Sequence, residues 1–581
     1  MHLILSEEAL LKDISQLVSS FEASATSIQN PQGLLLPTSI SELPREILLR
    51  IAELIKIPQE FGFDTNDGDE EEETGDSGPP RSKLERSDSF KSSTTALLDL
   101  SVQLVRLLPS TSDSEPPERN ILDSEATLFV AFSKFFQPDF STLFTTTESK
   151  KSASQTISLL LCDSVSSSKR LSLLTHLLRT ALPIHFKPNP KLNPSTGRVL
   201  NRPLGGPSGI DDWNEESDQD GVRGWKREIG LSGTILTILQ NLKVEELEDL
   251  WPWLLPPILS YLEDFNPLNK ILGLHLLDSL LNLFTEKKSE GNSSSTLLVR
   301  TGVGKVFKQS LSVIFSNLSD PLSIQLQSLS QPISLKLLNL LHPRLPLPPT
   351  SLSSTTSEAE KKKRRESSLE RFEALCLHFQ ETVLKIWQYK PDHYEFEFLL
   401  LSENCGVLPW IKESFEQDES GMGGGGAEVI RYLGILIPHL VGIVKGDDLE
   451  EGNGVGVGVW NEKLIKLRLR AIIVLKEMLR NNNQLVKDRV RKNWEDSIVT
   501  SLAKCWIGFK EDGEVDKMRN GGTNGEEEDN KELVKDFERQ LKELVKTLRE
   551  GDGGRVDGEV GRRDYWKELR ELDPVFEELV M

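Results

Sequence analysis

A chain of 581 residues is too long for one ordinary hydrophobic core, so several domains or a repeat array are expected. Its 90 acidic residues against 68 basic ones give a formal charge of −22, which argues against a phosphate backbone as partner. Leu dominates a hydrophobic fraction of 37%, and only 5 residues are Tyr, a balance that favours helices over sheets.

Residues 1–63 read as two or three helices, SISELPREILLRIAELIKI being the clearest. The stretch 64–93 turns acidic, then basic and Ser-rich, and is expected to lack fixed structure; Ser87 and Ser89 in it are candidate kinase sites. Helical periodicity returns over 94–184, at Thr95–Leu108, Glu125–Phe136 and Ser154–Leu182. The prolines and glycines of 185–226 exclude regular elements, and a connector this long either packs on the helices or serves a partner.

The most apolar part of the chain follows: LWPWLLPPILSYLEDFNPLNKILGLHLLDSLLNLF, Leu250 to Phe284. Glu263, Asp264 and Lys270 interrupt it and Pro256 and Pro257 sit in its first half, so it is a poor membrane span, and no other window does better. It splits at Asn266-Pro267 into two amphipathic helices. Leu250, Trp253, Leu254, Ile258, Tyr261 and Leu262 share one stripe; Ile271, Leu274, Leu277, Leu281 and Phe284 share the other. Asp264 or Asn266 can cap the second helix, and Pro267 suits its first turn. Pro256 should bend the first helix. That proline, an aspartate at the turn, a basic residue at Lys270 and the stripe through Leu277 form the pattern of a HEAT repeat, whose period is about 40–47 residues. Residues 296–341 repeat the plan around Ser319-Asp320-Pro321, so 227–342 reads as the repeat core.

Residues 343–366 read as a Pro/Ser linker carrying Lys361–Arg365, KKKRR, a candidate nuclear import signal. Helices resume over 367–510, where GMGGGG at 421–426 is a flexible break and IRYLGILIPHLVGIVKG and EKLIKLRLRAIIVLKEMLRN then form a third hairpin, joined by the Gly-rich 452–458. A charged, Gly-rich linker at 511–530 precedes C-terminal helices at 531–581. KELVKDFERQLKELVKTLRE spaces Val534, Phe537, Leu541, Leu544 and Leu548 by threes and fours, an apolar edge for its own chain or for a partner.

No motif carries chemistry. Gly302-Val-Gly304-Lys305 lacks the first glycine of a phosphate loop and has Val306 where a hydroxyl would hold magnesium. The eight histidines are dispersed, and Cys162, Cys376, Cys405 and Cys505 form no zinc spacing. No catalytic, cofactor-binding or metal residues are therefore assigned, and no cofactor is expected.

LWPWLLPPILSYLEDFNPLNKILGLHLLDSLL followed by LLVRTGVGKVFKQSLSVIFSNL resembles the Tel-two-interacting-protein-two family. The step Arg300-Thr301-Gly302, with Val306 and Phe307 after it, is the most distinctive part. KLNPSTGRVLNRPLGGP and KCWIGFKED are similar more weakly, and the glycine insertions depart from the family pattern. The resemblance implies an α-solenoid of irregular HEAT-like hairpins, an all-α subunit of the Triple-T co-chaperone complex. It implies two larger helical-repeat subunits as partners, with the heat-shock-ninety adaptor machinery and the phosphatidylinositol-three-kinase-related kinases served indirectly. Neither nucleic acid nor membrane is expected as a partner, and the expected compartment is the cytoplasm, with the nucleus open through KKKRR. Two other readings stand: a generic transport or phosphatase adaptor, and a helical enzyme whose site the sequence hides.

Overall fold

The computed structural model describes residues 38–57, 61, 81–106, 119–136, 144–161, 167–200, 224–285, 293–343, 358–391, 393–415, 426–446, 460–480, 484–512, 515, 518, 525–550, 571 and 574–580. All regular structure among them is helical; the only extended pairing is an isolated bridge between Leu192 and Val199. The chain divides into two compact units, Met1–Phe307 and Lys308–Met581.

In the N-terminal unit the helices are α1 Thr38–Leu54, α2 Arg81–Arg106, α3 Arg119–Ser133, α4 Thr147–Leu161, α5 Ser167–His176, the single turn α6 Gly224–Arg227, α7 Leu231–Asn241, α8 Leu247–Leu262, α9 Pro267–Thr285 and α10 Ser293–Thr301. The division falls within α11, Val303–Ser316. Most of the close pairs are near in sequence, α1 on α2 and α3, α2 on α4, and α9 on α7 and α8, while α3 also packs on α7, four elements on. Hydroxyls join some of these seams. Ser101 on α2 meets Thr156 on α4 at 2.9 Å, and Ser133 donates to Thr234 on α7 at 2.8 Å.

The pair α8 and α9 is the expected hairpin. Leu250, Leu254, Ile258, Tyr261 and Leu262 of α8 are buried, as are Ile271, Leu274, Leu277, Leu281 and Phe284 of α9. Two amphipathic faces of this kind bury each other because apolar area leaves water at about 25 cal/mol per Å². The helices come close enough that a Cβ at Gly273 would stand 2.7 Å from the Leu262 nitrogen. Only a glycine permits that backbone approach.

The C-terminal unit contains α12 Ser323–Leu341, α13 Glu358–Phe379, a π-helical turn at Gln380–Leu384 leading into α14 Lys385–Tyr389, α15 Tyr394–Leu400, α16 Val407–Phe415, α17 Ala427–Lys445, α18 Glu462–Arg480, α19 Gln484–Glu511, α20 Gly525–Glu550 and α21 Glu577–Val580. Here α17 packs on α18 and α19, and α18 on α20. Phe379, Trp410 and Tyr432 stack at its centre, Phe379 lying 4.2 and 4.7 Å from the other two rings.

Several boundaries differ from the sequence reading. Helix α2 begins at Arg81, inside the stretch expected to lack structure, because Phe90 packs on Phe61 at 5.7 Å and Ser87 is buried. Buried Ser87 is no accessible kinase site, whereas Ser89 is exposed. The KKKRR run lies in the first turns of α13 and not in a linker; acidic and basic helix formers alternate there, and Lys362 pairs with Glu366 one turn on. The span Ser154–Leu182 contains two helices, α4 and α5, with a π-helical turn at Leu177–Ala181 closing the second. The apolar stripe of α20 is no free edge: Val534, Phe537, Leu541, Leu544 and Leu548 are buried against the chain's own helices. One helix, α17, is long and apolar enough to cross a membrane by length and composition, contrary to the expectation that no window outdoes 250–284; over half of its apolar window is buried inside the unit. The Gly-rich run 452–458, residues 421–425 and residues 64–80 lie outside the described residues.

Candidate docking site around Trp253

Residues 182–200, which follow α5 and its π-helical turn, have few regular elements yet are held in place by the chain around them. The His185 and Phe186 amides both donate to the Leu182 carbonyl, turning the chain out of the helix. Phe186 then stacks on Trp225, whose ring lies 4.6 Å from that of Tyr261 on α8. Asn189 and Asn193 each fold their side-chain oxygen back on an amide two residues on, Lys191 and Ser195, both at 2.9 Å. This is what asparagine does at turns. The arms close through Asn193 N–H to Arg198 O at 2.8 Å and Leu200 N–H to Lys191 O at 2.9 Å.

The tip of this loop lies on α8. Gly197 has φ +62°, and a Cβ there would stand 2.8 Å from the Trp251 ring and 3.3 Å from the Pro252 backbone. Both the left-handed conformation and the contact demand glycine. The loop's last residues reach α10: the Val199 amide donates to the Thr301 carbonyl at 2.9 Å, and Val199 packs over Gly302, whose φ is +75°. Lys191 anchors the other arm to Glu263 at 2.8 Å.

The residues singled out in the sequence fall around this loop. Pro256 stays inside α8, beside Pro252 and Pro257, and lines a cavity. Asp264 is buried in the α8–α9 turn: Oδ1 accepts the Asn266 amide at 2.8 Å, and Oδ2 accepts Lys226 Nζ at 2.9 Å. The cap of α9 is Asn266, which accepts the Leu268 amide at 2.9 Å, with Pro267 at the first helical position. Lys270 is half-buried on α9, and the ammonium on Asp264 comes instead from Lys226 on α6. Leu277 is fully buried. Arg300 pairs with Glu248 at the start of α8. Thr301 is buried, with Oγ1 on the Leu297 carbonyl at 2.7 Å, and Phe307 is fully buried. Thr301 and Gly302 thus form the seat of the loop, Arg300 ties α10 to the start of α8, and Phe307 is core.

Between loop and helix lies a cavity of about 190 Å³, lined by Leu182, Phe186, Pro188, Leu192, Trp253 and Pro256 among others. The π-helical turn at Leu177–Ala181 carries the exposed Arg179, whose guanidinium carbon stands 4.5 Å above the Trp253 ring centre. π-helical turns insert one residue into a helix and are frequent at functional sites. Ile184, next to the lining residue Pro183, faces solvent at 79% exposure. No sequence signal marks the Arg179–Trp253 pair: the two lie in different helices, and the extra residue of the π turn sets arginine on the wrong helical phase for a repeat reading.

Other polar clusters suit holding structure. Trp387 Nε1 and His439 Nε2 both meet Glu397 Oε2, at 3.1 and 3.0 Å, a base–orienter pair in form. Among the described residues no hydroxyl or thiol hydrogen-bonds to His439, so no nucleophile completes it. Arg371 bridges the His342 carbonyl, Asn339 and Glu413 within the core of the C-terminal unit. Among the described residues no group of three His, Cys, Asp or Glu could hold a metal ion.

Residues 129–415 match the model of the Tti2 family. No curated protein and no solved structure matches the chain.

Proposed function

The chain belongs, through residues 129–415, to the Tti2 family, and from that membership we propose that it is a non-catalytic scaffold subunit of a Triple-T-type co-chaperone complex. The family match carries this reading. The α8–α9 hairpin, buried face to face, supports the HEAT-like part of that reading, since hairpins of this kind build the helical-repeat surfaces that bind other proteins. Its partners are then two larger helical-repeat subunits, and through them the heat-shock-ninety adaptor machinery. The supported process is the folding and assembly of phosphatidylinositol-three-kinase-related kinases. The protein works in the cytoplasm, and the KKKRR run on α13, exposed at Lys362, Lys363 and Arg365, is the candidate signal for nuclear entry.

Depletion tests the reading. Several very large kinases should fall together in protein abundance while their transcripts stay level, because the defect lies in folding and not in expression. Unchanged kinase abundance, with the tagged protein recovered on import cargo or a phosphatase core, would transfer the chain to the generic adaptor class.

A further inference from the structure

We propose that residues 574–580 are a strap over a peptide-docking groove on α19 and α20, and that a partner segment of the same chemistry docks there by displacing it. That chemistry is an aromatic and an aliphatic anchor three residues apart, with an acid between them. The proposal rests on the scaffold reading only in taking a protein as the source of the segment.

The groove is read from the segment that fills it. Pro574–Phe576 form one 3₁₀ turn that runs into the four-residue helix α21. A helix so short has no stability of its own in water, so these residues are ordered by what they touch. Phe576 and Leu579, three apart and so on one face, are both buried, while Glu577 and Glu578 between them are exposed. The apolar cluster the two anchors join includes Trp506 and Phe509 of α19 and Phe537 and Leu541 of α20, and α21 packs on α20.

Two polar contacts set what the seat accepts. Trp506 is fully buried, and its indole N–H donates to the Val575 carbonyl at 2.7 Å. A buried tryptophan needs a partner for that N–H, and here the partner is backbone, which any peptide carries. Lys510 and Lys542 both stand over the Trp506 ring, at 4.5 and 5.7 Å from its centre. Glu538 lies between them, 3.1 Å from Lys542 and 3.7 Å from Lys510. Two ammonium groups and one carboxylate leave a positive charge over, and Glu578 of the strap neutralises it at 2.7 Å from Lys510. An acid at that position of the docked segment is thus matched by the groove.

The hold is weak enough to release. It consists of two anchors, a backbone bond and an ion pair whose Glu578 end is mostly exposed, a kind that contributes little. Against it stands the entropy of ordering seven residues. The strap therefore opens while α19 and α20 stay folded. Residues 551–573 tie it to α20, so it competes as an intramolecular ligand, and a partner segment must exceed its effective concentration or anchor better.

The test uses the full-length chain and a fluorescein-labelled peptide of residues 573–580, DPVFEELV, read by anisotropy. Phe576→Asp with Leu579→Asp should open the strap. The opened variant should bind the probe about tenfold or more tighter than the parent, whose groove is filled, and should melt within about 4 °C of it. A probe with both anchors changed to Ser should not bind. Lys510→Glu in the opened variant should weaken the unaltered probe several-fold, and a Glu578→Lys probe should recover the loss, a swap that a folding defect cannot mimic. In the unmodified chain the amides of residues 575–580 should exchange with solvent about a hundredfold or more faster than those in the middle of α20. Equal binding by parent and opened variant, binding by neither, exchange as slow as that of α20, or a large fall in melting temperature on opening would overturn the proposal. So would a concentration-dependent dimer of the parent, since the strap would then come from a second copy. Kinase abundance after depletion does not depend on the probe. A probe that fails while the kinases fall sinks only the groove, and a probe that binds while the kinases hold sinks only the scaffold reading.

Discussion

Asp264 in the α8–α9 turn and Lys226 on the short helix α6 form an ion pair of 2.9 Å across 38 residues of sequence. The carboxylate is almost wholly buried and also holds the turn through the Asn266 amide. Lys226→Met would strand that charge. Breaking a buried pair from one side costs about 3–5 kcal/mol, so the N-terminal unit should melt markedly earlier. Adding Asp264→Asn should recover much of the loss, because the amide keeps an oxygen for Asn266 and carries no charge. A double variant as unstable as Lys226→Met alone would show that lysine acts by packing.

Gly273 provides a test of hairpin geometry. Its missing Cβ would stand 2.7 Å from one backbone atom of Leu262 and 2.9 Å from the Tyr261 carbonyl carbon. Backbone cannot swing aside as a side chain can, so Gly273→Ala should force α8 and α9 apart. Overpacking of this kind costs about 1–3 kcal/mol. An unchanged melting temperature would mean that the two helices have room to spare.

That hairpin was legible in the sequence, and its neighbours less so. Stripes of Leu at helical spacing on either side of Asn266-Pro267 suffice to specify two helices and a cap, because each signal is local. The cation for Asp264 was not legible. Lys270 lies nearer in sequence, while Lys226 arrives through tertiary packing that no spacing encodes. The start of α2 was missed for a similar reason: its first turns are Ser-rich and charged, and Phe61 is what holds Phe90 in place. The Trp253 site was half legible. The prolines were visible, but Arg179 is brought over the ring by a π turn that breaks the 3.6-residue phase.

Two buried groups of the C-terminal unit give opposite responses to pH. Burial raises the Glu428 carboxyl to about 7, against its own backbone bond and the attraction of Arg371. The folded state thus prefers the protonated form; its stabilising contribution is complete below about 4.5 and is lost as pH rises through 7. Burial lowers the His378 imidazole to about 4, aided by Lys308. Its contribution is complete above about 6.5 and is lost as pH falls through 4. Glu428→Gln should therefore raise stability at pH 8 by up to about 3 kcal/mol and change little at pH 4.5. Melting temperatures from pH 4 to 8 would check it. The variant should also fall off more steeply than the parent below pH 6.5, since the compensating proton on Glu428 is gone. Parallel curves would place the Glu428 carboxyl in contact with water.

The thiols of Cys376, Cys405 and Cys505 should be nearly inert in the folded protein. Burial pushes all three up, Cys505 to about 12, and thiolate is the reactive form. A maleimide at pH 7 should modify them only at the rate of unfolding, with Cys505 slowest, and all three rapidly in denaturant. Site-resolved mass spectrometry would read the order, and prompt labelling of Cys505 in native buffer would contradict its burial.

The hydrogen bond from Val199 to Thr301 also sets an order of events during synthesis. The loop cannot take its final seat until α10 has left the ribosome, about a hundred residues after Val199 itself. At about 5–20 residues per second that interval lasts roughly 5–20 s. Until α10 arrives the Val199 end of the loop has no anchor, even after α8 and α9 have been made and can pair. A nascent chain caught in that interval holds the loop over its most apolar helix by fewer bonds than the finished protein. The wait belongs to every new copy, so a protein proposed to serve the maturation of others passes first through a stage in which it needs shelter itself.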